Sequence, residues 1–286
     1  MKIEAIFEKK KPILSFEIFP PKKEAALKNL DDTLGALSQL KPDFVSVTFG
    51  AGGTSINNQT VEIARKIKEN YQIEALAHLT CINHTQGEIE LLLQELKGAG
   101  IQNILALRGD VNPEIAPKED FKYASDLVAY IKAHGEFGIS GACYPEGHVE
   151  SANEVEDTLH LKKKVDAGVG HLISQLFFDN EAFYTFQKNA KLAGIHVPIQ
   201  AGIMPVINKA QIEKMVSLCG ASLPSKFTKI IGKYGDNKEA LFDAGIAYAI
   251  NQIVDLLAHD VDGIHLYTMN NPLVAQRIYE GIKTLI

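Results

Sequence analysis

Eight short apolar runs recur along the chain. They are "ILSFEIF" from residue 13, "FVSVTFG" from 44, "IEALAHLT" from 73, "NILALRG" from 103, "GISGACYP" from 138, "HLISQLFF" from 171, "VPIQAGIM" from 197 and "GIHLYTM" from 263. Each has the length and side-chain content of a strand, and most begin about 30 residues apart. That interval accommodates one strand and one helix, so the chain reads as repeated strand–helix units. The intervening segments agree. Leu30, Leu34 and Leu37 stand at i, i+4, i+7, and Ile89, Leu92, Leu93 and Leu96 form a second stripe with Gly100 behind it as a stop signal. Eight even units favour closure into an α/β (βα)8 TIM barrel over an open doubly wound sheet. The gap before the eighth run is about twice the others. It predicts additional helices from "NKAQIEKMVSLCG", "SKFTKIIGKYG" and "EALFDAGIAYAINQIVDLLAH". No Ser/Gly/Pro-rich linker interrupts the 286 residues, which read as one barrel domain, 1–286.

The formal charge of −6, with Lys/Arg runs no longer than the "KKK" at 9–11 and 162–164, argues against nucleic acid as a partner. No apolar stretch of signal-peptide length follows the first basic residue and no window approaches a membrane span, so a cytoplasmic protein without a membrane is expected. Cys81, Cys143 and Cys219 are too few and too scattered for a disulfide framework or a cysteine metal site, and read as small buried hydrophobes.

In such a barrel, chemistry gathers where strands end at their C-termini. Those ends carry Glu17, Thr48, His78, Arg108 with Asp110, Tyr144, Gln175 and Tyr267. Glu17 is the odd one, a carboxylate inside "SFEIFPP". Alternation puts Ser15, Glu17 and Phe19 on one strand face, with Phe16 and Ile18 on the other. One buried carboxylate is compatible with a satisfied core polar group; seven such positions at one mouth describe a site. The sequence lacks a His-x-His on the first run, a lysine in any strand run, a glycine-rich phosphate loop after the seventh or eighth, and a GxGxxG. His78 and His84, six apart, are a weak metal signal, and no metal is expected. Ionisable groups without an intrinsic nucleophile or metal point to a bound organic cofactor.

The ordered motifs "SFEIFPPK", "KPDFVSVTFGAGG", "AHLTC", "ALRGD", "YASDLV", "GACYPEGH", "LKKKVDAG", "SQLFFD", "GIMPV" and "HLYTMNNP" closely resemble the bacterial-type methylenetetrahydrofolate reductase family, from about residue 12 to 280. The resemblance implies a (βα)8 barrel with non-covalent FAD that reduces 5,10-methylenetetrahydrofolate to 5-methyltetrahydrofolate. NADH or NADPH would be the electron donor, in a ping-pong scheme on one flavin face. It implies that Glu17 is the general acid, its pKa raised by apolar surroundings (Phe16, Ile18, Phe19, Pro20 and Pro21). Asp110 would then stabilise the cationic iminium and tune the flavin. Thr48, His78, Arg108, Gly109, Asp110, Tyr123, Ala124, Ala142, Tyr144, His148, Asp157, His160, Lys163 and Lys164 fall on its flavin-contacting stretches. Arg108 and Lys164 suit phosphate charge, and Asp157 suits ribose hydroxyls.

On the folate side the resemblance implies Glu17, Asp110, Gln175, Gln211, Met215, Tyr267 and Asn271. Some of these positions depart from the family pattern: Met215 stands for a Phe or Leu, and Asn271 for an Arg that grips the folate glutamate. His160 and Lys163 stand for Asn and Arg at the adenosine end. A reduced folate and further copies of the chain (a homo-oligomer) are the expected partners. Alternatives are a reductase subunit fed by an electron-donating partner, a folate-binding barrel without turnover, and a C1-folate methyltransferase.

Overall fold

The computed structural model describes residues 1–21, 27–49, 59–111, 116–210, 212, 215–216 and 220–286. Gln211 and Cys219, singled out above, lie outside the described residues. In chain order the elements are α1 (Glu4–Phe7), β1 (Ile13–Ile18), α2 (Leu27–Ser38), β2 (Phe44–Val47), α3 (Gln59–Tyr71) and β3 (Glu74–Thr80). There follow α4 (Gln86–Gly98), β4 (Asn103–Leu107), α5 (Ala124–His134), β5 (Gly138–Cys143), α6 (Glu154–Asp166), β6 (His171–Ser174) and α7 (Asn180–Leu192). The chain ends with β7 (Ile199–Ile203), α8 (Ser225–Tyr234), α9 (Lys238–Ala258), β8 (Gly263–Tyr267) and α10 (Pro272–Ile282).

The strands pair in sequence order, all parallel, and β8 returns to β1, so the eight close a barrel. Closure sets the register that matters most. Glu17 lies opposite Ser46 of β2 on one side and Tyr267 of β8 on the other. Alternation then divides each strand. Leu14, Phe16 and Ile18 of β1, Val45 and Val47 of β2, and Ala75, Ala77 and Leu79 of β3 point outward. There they meet Leu30, Leu34 and Leu37 of α2 and Ile89, Leu92, Leu93 and Leu96 of α4, the two stripes read from sequence. Gly100 ends α4 as expected, with φ +71 and its N–H donating to Lys97 O at 3.0 Å.

Inside the barrel, Ile13, Phe44, Leu76, Leu105 and Ile173 form a separate apolar plug, closed from below by Ile3, Ile6 and Phe7. This N-terminal helix was not expected. Its four residues are too short for a periodic pattern. Asn103 holds the segment: Ile3 N donates to its Oδ1 at 2.9 Å and its Nδ2 donates to Met1 O at 3.0 Å.

Two of the additional helices stand before β8 as α8 and α9; the first, around 208–220, lies only partly within the described residues. The expectation that no window approaches a membrane span needs correction at α9, whose length and composition suffice to cross a bilayer. It nevertheless buries Leu241, Ile246, Ala249, Ile253 and Leu256, and Ile246, Ala249, Ile253 and Leu256 join the outer core. It also carries Asp243 and Asp255, as expected of a barrel-wall helix.

Phe7 is 4% exposed, and its ring lies 4.8 Å from that of His171. Phe7→Ala should lower the unfolding free energy by about 3–4 kcal/mol, read from urea denaturation. Leu192→Ala, at a residue 78% exposed, should change it by no more than about 0.5 kcal/mol.

Candidate active site

A cavity of about 670 Å³ opens at the C-terminal ends of the strands, a size typical of small-molecule sites. Of the residues proposed from sequence, Glu17, Thr48, His78, Arg108, Gly109, Asp110, Ala142, Tyr144, His148, Gln175 and Tyr267 line it. Leu105, Leu107 and Ile173 give it an apolar wall, and Phe49, Thr80, Ile82, Asn83 and Val111 complete the lining.

Glu17 does not meet the surroundings anticipated for it. Phe16 and Ile18 point into the outer core, as the alternation of β1 requires, so they cannot wrap the carboxyl. Its neighbours are two buried imidazoles, with His78 Nε2 at 3.6 Å and His265 Nε2 at 3.7 Å from Oε2. His265 is fixed from behind by Ser15, whose Oγ lies 2.7 Å from Nδ1, while Ser46 Oγ lies 3.4 Å from Nε2. Gln200 Nε2 donates to Ser15 Oγ at 3.1 Å, which extends the chain into the barrel. From above, Thr268 Oγ1 donates to Glu17 O at 2.7 Å. Burial pulls the His78 pKa down to about 4, against a smaller opposing pull from Glu17. His78 is therefore a neutral ring at neutral pH, facing Glu17 without acting as its counter-ion.

At the rim, Arg108 Nη1 and Nη2 donate to the two carboxylate oxygens of Glu150 at 2.6 and 2.7 Å. Gly109 follows in a conformation with φ +90, where a Cβ would sit 3.1 Å from Thr80 Cβ and 3.2 Å from Ile82 Cγ2. Only glycine brings the backbone so close there. Burial, with Asp157 and Asp110 nearby, raises the Tyr144 pKa to about 12, so its hydroxyl stays a donor. The His148 ring stands edge-on to Tyr144 at 4.6 Å. Lys164 donates to Ala142 O, and burial lowers its pKa. Asp157 is buried and accepts from Ser151 Oγ at 3.0 Å.

Across the mouth, Tyr267 OH donates to Ser174 O at 2.7 Å. Gly202 makes this possible, since a Cβ there would meet Ser174 O at 2.2 Å and Tyr267 OH at 2.8 Å. Gln175 lies beside this pair, its Oε1 accepting from Leu176 N at 3.1 Å.

The remaining sequence-proposed positions stand apart from the cavity lining. Tyr123 caps α5 ahead of Ala124 and stacks with His160, their centroids 6.5 Å apart on the exposed surface. Lys163 is exposed on α6. Met215 packs with Leu176, Phe178 and Phe227 in an apolar cluster that Tyr267 also touches. Asn271 caps α10, accepting from Val274 N at 3.4 Å, while its neighbour Asn270 bonds both backbone groups of Phe19. Sequence reasoning missed His265, Ser15 and Thr268. Their signal was the position of Ser15 on Glu17's own strand face, and of His265 two residues before the selected Tyr267.

A closed parallel (βα)8 barrel whose strand ends surround one cavity with carboxylates, imidazoles and an arginine defines a barrel enzyme site. A sequence model of methylenetetrahydrofolate reductase matches residues 2–283, and the chain belongs to that family. It is 38% identical over 257 residues to 5,10-methylenetetrahydrofolate reductase of Escherichia coli (strain K12), covering 90% of this chain and 86% of the relative. It is 36% identical over 284 residues to methylenetetrahydrofolate reductase (NADH) 1 of Arabidopsis thaliana, covering 94% of this chain. The match spans about half of the plant relative, 48% of its length. A solved structure from Clostridium thermocellum, described as binding two copies of 5-methyl-5,6,7,8-tetrahydrofolic acid, shares the fold. Its TM-score is 0.69 at 15% identity, covering 100% of this chain and 99% of that one.

Burial also lowers the His171 pKa, to about 3, so two buried histidines refuse protons that the unfolded chain accepts near pH 6.5. More protons bound in the unfolded state means that stability rises with pH. The unfolding free energy should therefore fall as pH drops from about 6.5 to 4, by up to about 1.4 kcal/mol per pH unit for each histidine. Urea titrations at pH 7, 6 and 5 would show this, and a flat profile would contradict it.

Proposed function

We propose that this chain reduces 5,10-methylenetetrahydrofolate to 5-methyltetrahydrofolate in the cytoplasm, with non-covalent FAD and with NADH or NADPH as the electron donor. Family membership supports the reaction. The observation that carries the mechanism is the gathering of Glu17, Asp110 and Gln175 around one cavity, with Glu17 beside two buried imidazoles.

The residues present fit a flavin dinucleotide. The cavity offers an apolar wall of Leu105, Leu107 and Ile173, hydrogen-bonding groups in Thr48, Tyr144 and Gln175, and one arginine at its rim. Gly109 lets the end of β4 pack closely against Thr80 and Ile82, which holds Arg108 at the cavity rim. Arg108 would hold phosphate and Tyr144 would donate to a ring acceptor. Bound flavin supplies two-electron storage between the two hydride transfers.

The protein's own work is proton and charge management. The methylene bridge of the substrate must open before it accepts a hydride, and Glu17 delivers the proton toward N10. His265, anchored by Ser15, limits where that carboxyl can point. Opening leaves a cationic 5-iminium, and the carboxylate of Asp110 at the cavity rim favours that charge. Gln175 offers an amide to the donor–acceptor edge of the pterin. Hydride addition then gives the methyl product, with one proton and one hydride consumed for each substrate.

The test is to add 5-methyltetrahydrofolate anaerobically to the oxidised, flavin-loaded protein, which runs the folate half-reaction backward without assuming a donor. Bleaching of the yellow flavin is expected. A protein that stays colourless after FAD is supplied would overturn the flavin reading, and a yellow protein that does not bleach would overturn the folate reading. Glu17→Gln should keep flavin and its reduction by NADH or NADPH while folate turnover falls by about 100-fold or more, within the range of general acid catalysis. Near-normal folate turnover in that variant would remove Glu17 as the acid.

A further inference from the structure

Arg108 is the one Lys or Arg among the described residues lining the cavity, against the carboxylates of Glu17 and Asp110. Its fork is engaged. Both terminal nitrogens donate to Glu150, and Nε donates to Gly109 O at 3.2 Å. Glu150 comes from the loop between β5 and α6, two residues past His148, whose Nδ1 accepts Glu150 N at 3.2 Å. Glu150 is 53% exposed and Arg108 23%. The bidentate pairing uses the same two N–H groups that a phosphate would use.

We propose that Glu150 is a specificity-determining residue for the anionic ligand of this cavity. It is a built-in counter-anion that a phosphate or diphosphate group must displace from Arg108 or tolerate beside it. The inference rests on the flavin reading, in which Arg108 meets the diphosphate of the cofactor. Either route has the same sign. If the phosphate takes the guanidinium N–H groups, Glu150 loses its partner. If both anions share the cation, they repel at close range. An uncharged ligand gains nothing from Arg108 and leaves the pair intact. The exposure of Glu150 keeps the effect moderate, because water screens the pair and can solvate the released carboxylate. Glu150 thereby lowers the affinity for a ligand whose phosphate meets Arg108 and leaves an uncharged one unaffected.

The experiment titrates the full chain, as wild type, Glu150→Gln, Arg108→Gln and the double variant, with FAD and with riboflavin, which lacks phosphate. Flavin fluorescence reports binding. Glu150→Gln should bind FAD about 2- to 5-fold more tightly, the range open to a partly exposed ion pair, with riboflavin affinity unchanged. Arg108→Gln should weaken FAD binding, and adding Glu150→Gln to it should not weaken it further: displacement leaves no gain in that background, whereas repulsion between the two anions leaves one. If Glu150→Gln weakens FAD binding as Arg108→Gln does, Glu150 is a buttress for the arginine and the proposal fails. An unchanged FAD affinity in Glu150→Gln also overturns it. FAD that does not bind the wild-type chain at all would overturn the flavin reading and this proposal together; binding with the wrong sign in the variant overturns the proposal alone.

Discussion

The pairing of β8 with β1 is the contact on which the site depends. Before closure, Glu17 is a carboxylate near the end of an edge strand. Closure sets it beside Tyr267, brings His265 of β8 within 3.7 Å, and lets Thr268 and Asn270 grip the backbone of Glu17 and Phe19. These contacts join residues about 250 positions apart, so the surroundings of Glu17 assemble only when the whole barrel does. The hydroxyl of Tyr267 obeys the same logic. It reaches Ser174 only because β7 carries Gly202 between them.

Barrel interiors are small, and every polar side chain placed there needs a partner. This chain divides the problem by height. The lower interior is apolar, closed by Ile3, Ile6 and Phe7. Above it lies a belt in which Ser15 meets His265 and Gln200, and Ser140 meets His171 at 2.9 Å. Each serine is the register partner of its imidazole on the neighbouring strand, short enough to leave the ring room in the barrel interior. Burial keeps His78 and His171 neutral, so neither of these two rings adds a fixed positive charge near Glu17.

Much of this was legible in the sequence, because the eight runs and the helical stripes follow from periodicity alone. The ring of polar strand ends was legible for the same reason: a parallel barrel places all those ends at one mouth. What failed was local. Phe16 and Ile18 adjoin Glu17 in sequence, yet the two-residue period sends them to the opposite face, and the imidazoles that do meet Glu17 come from β3 and β8. Asn271 fell on a folate-side position by family resemblance, and its side chain caps α10. A helix start needs an acceptor at that place whatever else the loop does. Helix α1 escaped because a single turn carries no period, and its role shows only in what it covers.

The distribution of charge at the mouth has its own logic. A reaction passing through a cationic iminium is favoured by negative charge near the reacting centre, whereas a dinucleotide cofactor needs positive charge for its phosphates. One cavity can serve both only if the two fields are kept apart. Here the one guanidinium among the described lining residues sits beside Gly109 at the end of β4, with Glu150 compensating it locally. A compensated cation projects little field beyond its hydrogen-bonding distance, because the pair acts as a short dipole. Glu17 and Asp110 then set the sign of the potential toward the centre of the cavity, while Arg108 stays available to a ligand group able to compete for its N–H donors.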